Sequence, residues 1–92
     1  MNIVAPHFAV TQDSTTLNVY HAGKGEGLPR HEHAYSHLTM CHAGSIIVRK
    51  EGRELVMTKD TQPVNLVANE WHEIEALEDG TVFVNVFAEG KY

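Results

Sequence analysis

Histidine is the residue type in this chain whose number and spacing can do chemistry. The sequence carries seven in 92 residues, and four of them, His31, His33, His37 and His42, fall within twelve positions. His31 and His33 are two apart, and on a strand such positions share a face. His37 is four further on and shares that face if the strand continues without a bulge. Three imidazoles then converge from one strand. A divalent transition metal needs such convergence, because each ligand nitrogen must lie about 2.0–2.2 Å from the ion. A fourth ligand has to come from a neighbouring strand, and His72 is the candidate. A rival metal motif, the zinc-protease helix, also uses histidines four apart, but it wants Glu directly after the first, where this chain has Ala34. No Ser or Cys nucleophile motif is present, and the glycine-rich stretch 23–29 lacks the Gly-Lys-Ser/Thr ending of a phosphate loop. His7 and His21 read as exposed polar positions.

The elements that must position these side chains read as strands. Leu17-Asn18-Val19-Tyr20, Val64-Asn65-Leu66-Val67 and the run 81–87 alternate apolar and polar with a period of two. Ile46-Ile47-Val48 is a continuous β-branched run and suggests a strand covered on both faces. Glu51-Gly52 reads as a two-residue hairpin loop joining 45–50 to 53–58, with Gly52 supplying a positive φ. Seven or eight short strands at regular spacing predict an all-β sandwich or barrel. The segment 69–80 admits two readings. As a helix, Asn69 caps it, Gly80 stops it, and Trp71, Ile74 and Leu77 share a face. As a strand, His72, Ile74 and Ala76 share one face. Only the strand makes His72 a partner for the other histidines.

Composition narrows the function classes. Twelve acidic residues against seven basic ones give a formal net charge of −5, with no basic stripe to engage nucleic acid. Hydrophobic residues make up 42% of the chain, enough for one packed domain over residues 1–92. No apolar run approaches the roughly 18 residues a membrane span needs, and the first residues lack the pattern of a secretory signal. Cys41 is the single cysteine, which fits a reducing, cytoplasmic setting.

The stretch from Gly25 through His31, His33 and His37 to Gly44 resembles the first motif of the cupins, G-x5-H-x-H-x3-4-E-x6-G. Gly25, His31, His33 and Gly44 fall on their positions, and His37 stands where the family usually has glutamate. The second cupin motif, G-x5-P-x-G-x2-H-x3-N, is degraded. His72 matches its histidine, whereas Thr61, Val67, Asn69 and Ala76 replace its other residues. Asn69 is a tolerable substitute for glycine, since Asn enters the left-handed region more readily than most residues. Asn85-Val86-Phe87 also resembles the closing strand of small cupins.

The resemblance implies a double-stranded β-helix, the cupin jelly-roll barrel, with His72 on a strand. It implies His31, His33, His37 and His72 as ligands of one divalent transition metal per chain, iron or manganese first, with nickel, zinc or copper as further candidates. With histidine in place of glutamate the ion keeps its full double positive charge, which favours anionic ligands and acidifies bound water. The expected function is a mononuclear metal-dependent enzyme, oxygenase-like, acting on a small polar or anionic molecule. The alternative is a non-enzymatic small-ligand or metal-binding sensor module. By alternation Tyr35, Thr39 and Cys41 share the His33/His37 face, with Thr39 and Cys41 as lining, and His42 points to the opposite face. Arg30 alternates out of register with His31. Trp71 reads as packing or pocket wall. The run 46–48 and Met40 on the outer parity predict a homodimer.

Overall fold

The computed structural model describes residues 1–88; residues 89–92, part of the single domain expected from the sequence, lie outside the described residues. The period-two runs become strands: β1 (Asn2–Ile3), β2 (Phe8–Gln12), β3 (Thr15–Ala22), β4 (Glu26–His31), β5 (His37–Ala43), β6 (Ile46–Lys50), β7 (Arg53–Met57), β8 (Val64–Leu66), β9 (His72–Ala76) and β10 (Thr81–Ala88). No helix occurs among the described residues. Segment 69–80 therefore contains a strand, and His72, Ile74 and Ala76 are all buried on its inner face.

The strands form two five-stranded sheets, ordered β1-β4-β9-β6-β7 and β2-β3-β10-β5-β8. All pairings are antiparallel except β1 on β4. Between the sheets lies a core that includes Tyr20, Leu28, Ile46, Val48, Met57, Leu66, Ile74 and Phe83. Tyr20 and Phe83 stack there at 4.8 Å. The turn residues behave as their chemistry dictates. Gly52 takes φ 74° in the β6–β7 hairpin, where Lys50 pairs Arg53. Asn69 takes φ 66°, the left-handed conformation that glycine would otherwise supply.

Two expectations are corrected. The run 46–48 is not covered on both faces: Ile46 and Val48 are fully buried, while Ile47 is only half-buried on the outer face. It sits in the middle of the first sheet between β7 and β9, so the pleat sends alternate residues out whatever their type. The three histidines of the cluster also do not share one strand. β4 ends at His31, the chain crosses between the sheets over 32–36, and β5 begins at His37.

β4 approaches β9 closely at Gly27, where a Cβ would run into the Ile74 backbone carbonyl. Gly27→Ala is expected to force the two strands apart, at about 1–3 kcal/mol, or roughly 5–20 °C in melting temperature. Gly52→Ala, with nothing within 4 Å of its added methyl, should cost only the strain of its positive φ. A Gly27→Ala protein that melts at the native temperature would refute the close-approach argument.

Candidate metal centre

The site begins with a fault in a ladder. β4 and β9 pair Leu28 with Ile74 and then His31 with His72, so three steps along β4 match two along β9. The extra residue is a β-bulge at 29–30, a place where a proline such as Pro29 is tolerated. Without the bulge Arg30 would stand opposite His72 and His31 would face outward. With it, His31 and His72 become a cross-strand pair whose ring centroids are 4.4 Å apart.

His33 lies in the crossing between the sheets. Its carbonyl accepts from Asn69 N–H at 2.8 Å, and Ser36 Oγ accepts from Ala68 N–H at 3.0 Å, which ties the crossing to the segment entering β9. The His33 ring sits 4.9 Å from that of His72 and 5.5 Å from that of His31, and stacks on Tyr35 at 4.2 Å. One donor atom from each of His31, His33 and His72 falls within 4.8 Å of the others. Three histidines so placed can hold a metal. His37 joins from the second sheet, its ring 5.0 Å from His33 and 5.3 Å from His72, adjacent to that tight trio and outside it.

The ring edges are assigned by their partners. Nδ1 of His31 meets the Pro29 carbonyl at 2.7 Å, Nδ1 of His33 the Tyr35 carbonyl at 2.8 Å, and Nδ1 of His72 the Glu70 carbonyl at 3.2 Å. A carbonyl only accepts, so Nδ1 carries the proton in each case, and in the neutral ring Nε2 presents the lone pair, the tautomer that coordinates through Nε2. Nε2 of His72 is buried with no hydrogen-bond partner among the described residues, an orphaned acceptor that a cation would satisfy. His37 Nδ1 lies 3.4 Å from the Leu38 carbonyl and 3.3 Å from Thr39 Oγ1, and Thr39 Oγ1 donates to Asn85 Oδ1 at 2.7 Å. Thr39 therefore has its lone pairs turned to His37.

Burial decides the protonation of the two deeper rings. Loss of solvent pushes the His72 imidazole down to about 4, helped by the repulsion of a charged His72 by His31, His37 and His33. The His37 imidazole also falls to about 4, first by burial and then by His33 and His31, against an opposing pull from the Leu38 carbonyl. Both are neutral at pH 7, as coordination demands.

Thr39 and Cys41 are buried lining and His42 is exposed on the outer face, where alternation puts them. Asn85, bonded to Thr39 under His37, is the buried polar residue the pattern only hinted at. It is fully buried in the inward row Thr81, Phe83, Asn85, Phe87 of β10, and an amide in an otherwise inward apolar row is the available signal.

Comparison with known proteins accords with this architecture. No family model matches the sequence, and no curated protein matches it. Solved structures do. KdgF from Halomonas sp. superimposes with a TM-score of 0.77 at 15% identity, over 86% of this chain and 73% of that one. A cupin superfamily protein from Desulfitobacterium hafniense DCB-2 gives 0.76 at 13% identity, over 88% and 73%. A conserved protein with a double-stranded β-helix domain from Klebsiella pneumoniae gives 0.76 at 18% identity, over 95% and 73%. At these identities the likeness is one of fold: the chain is an all-β double-stranded β-helix like these structures, and it brings together three histidines that could hold a metal. Among the described residues no helix is long and apolar enough to cross a membrane.

The metal-free protein should lose stability as pH falls through the window from about 6.5 to about 4. In that window the unfolded chain binds protons at His37 and His72 while the native fold, with both values depressed, does not. Above 6.5 both states are neutral there and the effect vanishes. Below 4 both are protonated and it levels off. Denaturant melts of His72→Gln, whose side chain no longer titrates, should show a shallower slope across this window; an unchanged slope would contradict the buried neutral imidazole.

Proposed function

We propose that His31, His33, His37 and His72 together hold one divalent transition metal per chain, and that the protein is a mononuclear metal-dependent enzyme, oxygenase-like, acting on a small polar or anionic molecule. The observation that supports this reading is the common use of Nδ1: carbonyl partners take that edge of His31, His33 and His72 and reserve Nε2 for an ion. Iron or manganese suits an imidazole-rich site with open positions, and nickel, zinc and copper are the other candidates. Bound there, the metal would supply Lewis acidity and redox chemistry. The chain's own residues do the rest. The carbonyls of residues 29, 35 and 70 fix ring orientation, Thr39 and Asn85 brace His37, and an all-imidazole set leaves the ion's charge to attract an anion.

The non-enzymatic reading, a small-ligand or metal-binding sensor module, draws on Cys41 and Tyr35. Burial raises both, so thiol and phenol stay protonated at neutral pH and neither is a ready base or nucleophile. Metal analysis of protein purified without a chelating tag, followed by oxygen uptake against panels of small acids and thiols, separates the two. Turnover supports the enzyme; tight ligand binding with none supports the module.

A metal that binds only the native state stabilises it by about 2.7 kcal/mol at a hundredfold excess over Kd. Chelation should therefore lower the melting temperature, more at neutral pH than near pH 5, where protons compete for the imidazoles. His37→Glu should retain the metal and weaken anion binding, because a carboxylate lowers the charge at the ion. His37→Ala should weaken metal binding measurably, and His72→Ala should weaken it more. If both His37 variants leave metal and anion affinity unchanged, the ion has three protein ligands.

A homodimer is part of the same reading, as is a cytoplasmic location for a chain whose one cysteine is free and buried. The run 46–48 and Met40 lie in different sheets, and the outer face of the second, which holds Met40, supports the dimer better than that of the first, which holds the run 46–48 expected at the interface. Register aligns Phe8, Val19, Val84 and Met40 in one cross-strand row and Val10, Leu17, Val86 and Leu38 in the next. Phe8, Val10 and Leu38 are 50%, 51% and 41% exposed. The first sheet's outer face instead carries Arg49 paired with Glu54, Glu73 and Glu75 beside Ile47 and Val56. A flat apolar face is self-complementary about a two-fold axis. Light scattering should give twice the chain mass, and Leu38→Asp should halve it; a wild-type monomer would refute the dimer.

A further inference from the structure

We propose that Arg30, held over Trp71, is the anion anchor beside the histidine cluster, and that the ligand it selects is a small carboxylate with an apolar chain lying in the cavity under β1. This names the substrate class of the site proposed above and rests on that reading, although the residues that carry it are different ones.

The bulge that turns His31 inward also takes Arg30 off the histidine face. The Arg30 guanidinium carbon settles 4.2 Å from the centroid of the Trp71 ring. Stacking uses the flat face of the guanidinium and leaves its N–H edges for hydrogen bonds, the arrangement that receives a carboxylate through two parallel bonds. Among the described residues no ion pair includes Arg30, whereas three carboxylates surround Arg49. In a chain with a formal charge of −5, Arg30 is a cation whose partner is still to come.

Two cavities meet at Arg30 and His31. One, of about 580 Å³, is otherwise lined by Glu32, Glu51, Asn69 and Trp71. Its carboxylates repel an anion's body. The other, of about 560 Å³, is walled by residues 3–6 together with Tyr20, Leu28 and Pro29. The N-terminal segment builds that wall, with β1 parallel on β4 and Val4 N–H donating to the Gly27 carbonyl at 2.9 Å. Both volumes suit a small molecule, but hydroxyl groups in the second would meet almost no hydrogen-bond partner. A ligand satisfying both ends places its carboxylate at Arg30, next to His31, and an unbranched apolar chain against Val4 and Leu28. A sugar acid or a polyol does not match this lining.

Trp71 is the only tryptophan, so its fluorescence reports on the anchor directly and needs no turnover. Metal-free and metal-loaded protein would be titrated with acetate, butyrate, hexanoate, hexan-1-ol and inorganic phosphate, with calorimetry in parallel. Hexanoate should change the emission saturably, and affinity should rise roughly fourfold per added CH₂ from acetate to hexanoate. Arg30→Gln should weaken hexanoate at least tenfold and leave hexan-1-ol unchanged; Arg30→Lys, which keeps the charge and loses the fork, should fall between. The anchor is overturned if affinity ignores chain length, if Arg30→Gln binds hexanoate like the native protein, or if calorimetry shows no binding. Hexanoate binding by native protein that takes up no divalent metal would sustain the anchor while refuting the metal reading. Metal binding with no response to hexanoate would do the reverse.

Discussion

One residue too many in β4 organises this molecule. Antiparallel pairing allows a side chain only two directions, and a slip of one position exchanges them. The bulge at Pro29 and Arg30 is such a slip, confined to a single point. Upstream of it Leu28 faces the core; downstream His31 does, opposite His72. A regular ladder would bring a guanidinium into the space between the sheets, opposite a buried imidazole, and leave an imidazole in solvent. Pro29 lies within the fault, where a proline is tolerated, and its carbonyl takes the His31 Nδ1 proton. A residue of the bulge thus aims the ring that the bulge turns inward.

The second sheet contributes rigidity to the site from below. Asn18, Asn85 and Thr39 align across β3, β10 and β5 on its inner face, and all three are buried. Asn18 Nδ2 donates to Tyr20 Oη at 3.3 Å, and Thr39 Oγ1 donates to Asn85 Oδ1 at 2.7 Å. Buried polar groups are costly unless satisfied. A row of them under His37 is retained most simply because it fixes that ring, which comes from the opposite sheet to His31 and His72. The Asn85 Nδ2 group, buried without a partner among the described residues, is the one donor in this row left over for a water or a ligand.

Much of this was legible in the sequence, for physical reasons that also explain the failures. The period of two in 17–20, 64–67 and 81–87 reports which face of a pleat meets the core, and β3, β8 and β10 follow it. Gly52 and Asn69 announced positive φ because few residues tolerate it. His31, His33 and His72 were legible as a cluster through spacing and through the resemblance to the first cupin motif. Their placement on one strand was not. A chain that leaves one sheet and enters another five residues later keeps the same alternation of residue types, since both sheets face the same interior. His33 and His37 therefore look in phase with His31 although a crossing separates them. Ile46-Ile47-Val48 misled in the same way: three β-branched residues state a preference for strand and say little about how far the outer face is covered.

Local and global contributions to the site separate cleanly. The carbonyls that hold His31, His33 and His72 come from residues 29, 35 and 70, each two positions from the ring it serves. Tautomer and ring orientation are thus written into short pieces of chain, where they persist whenever those pieces adopt their native turns. Convergence is the opposite case. It needs the β4 bulge, the tie from Asn69 to the His33 carbonyl, and the pairing of β5 with β10 that presents His37. Substitutions away from the histidines will therefore alter the distances between nitrogens long before they alter which nitrogen carries the lone pair. A site built this way can change the spacing of its nitrogens while His31, His33 and His72 each keep Nδ1 on the same nearby carbonyl.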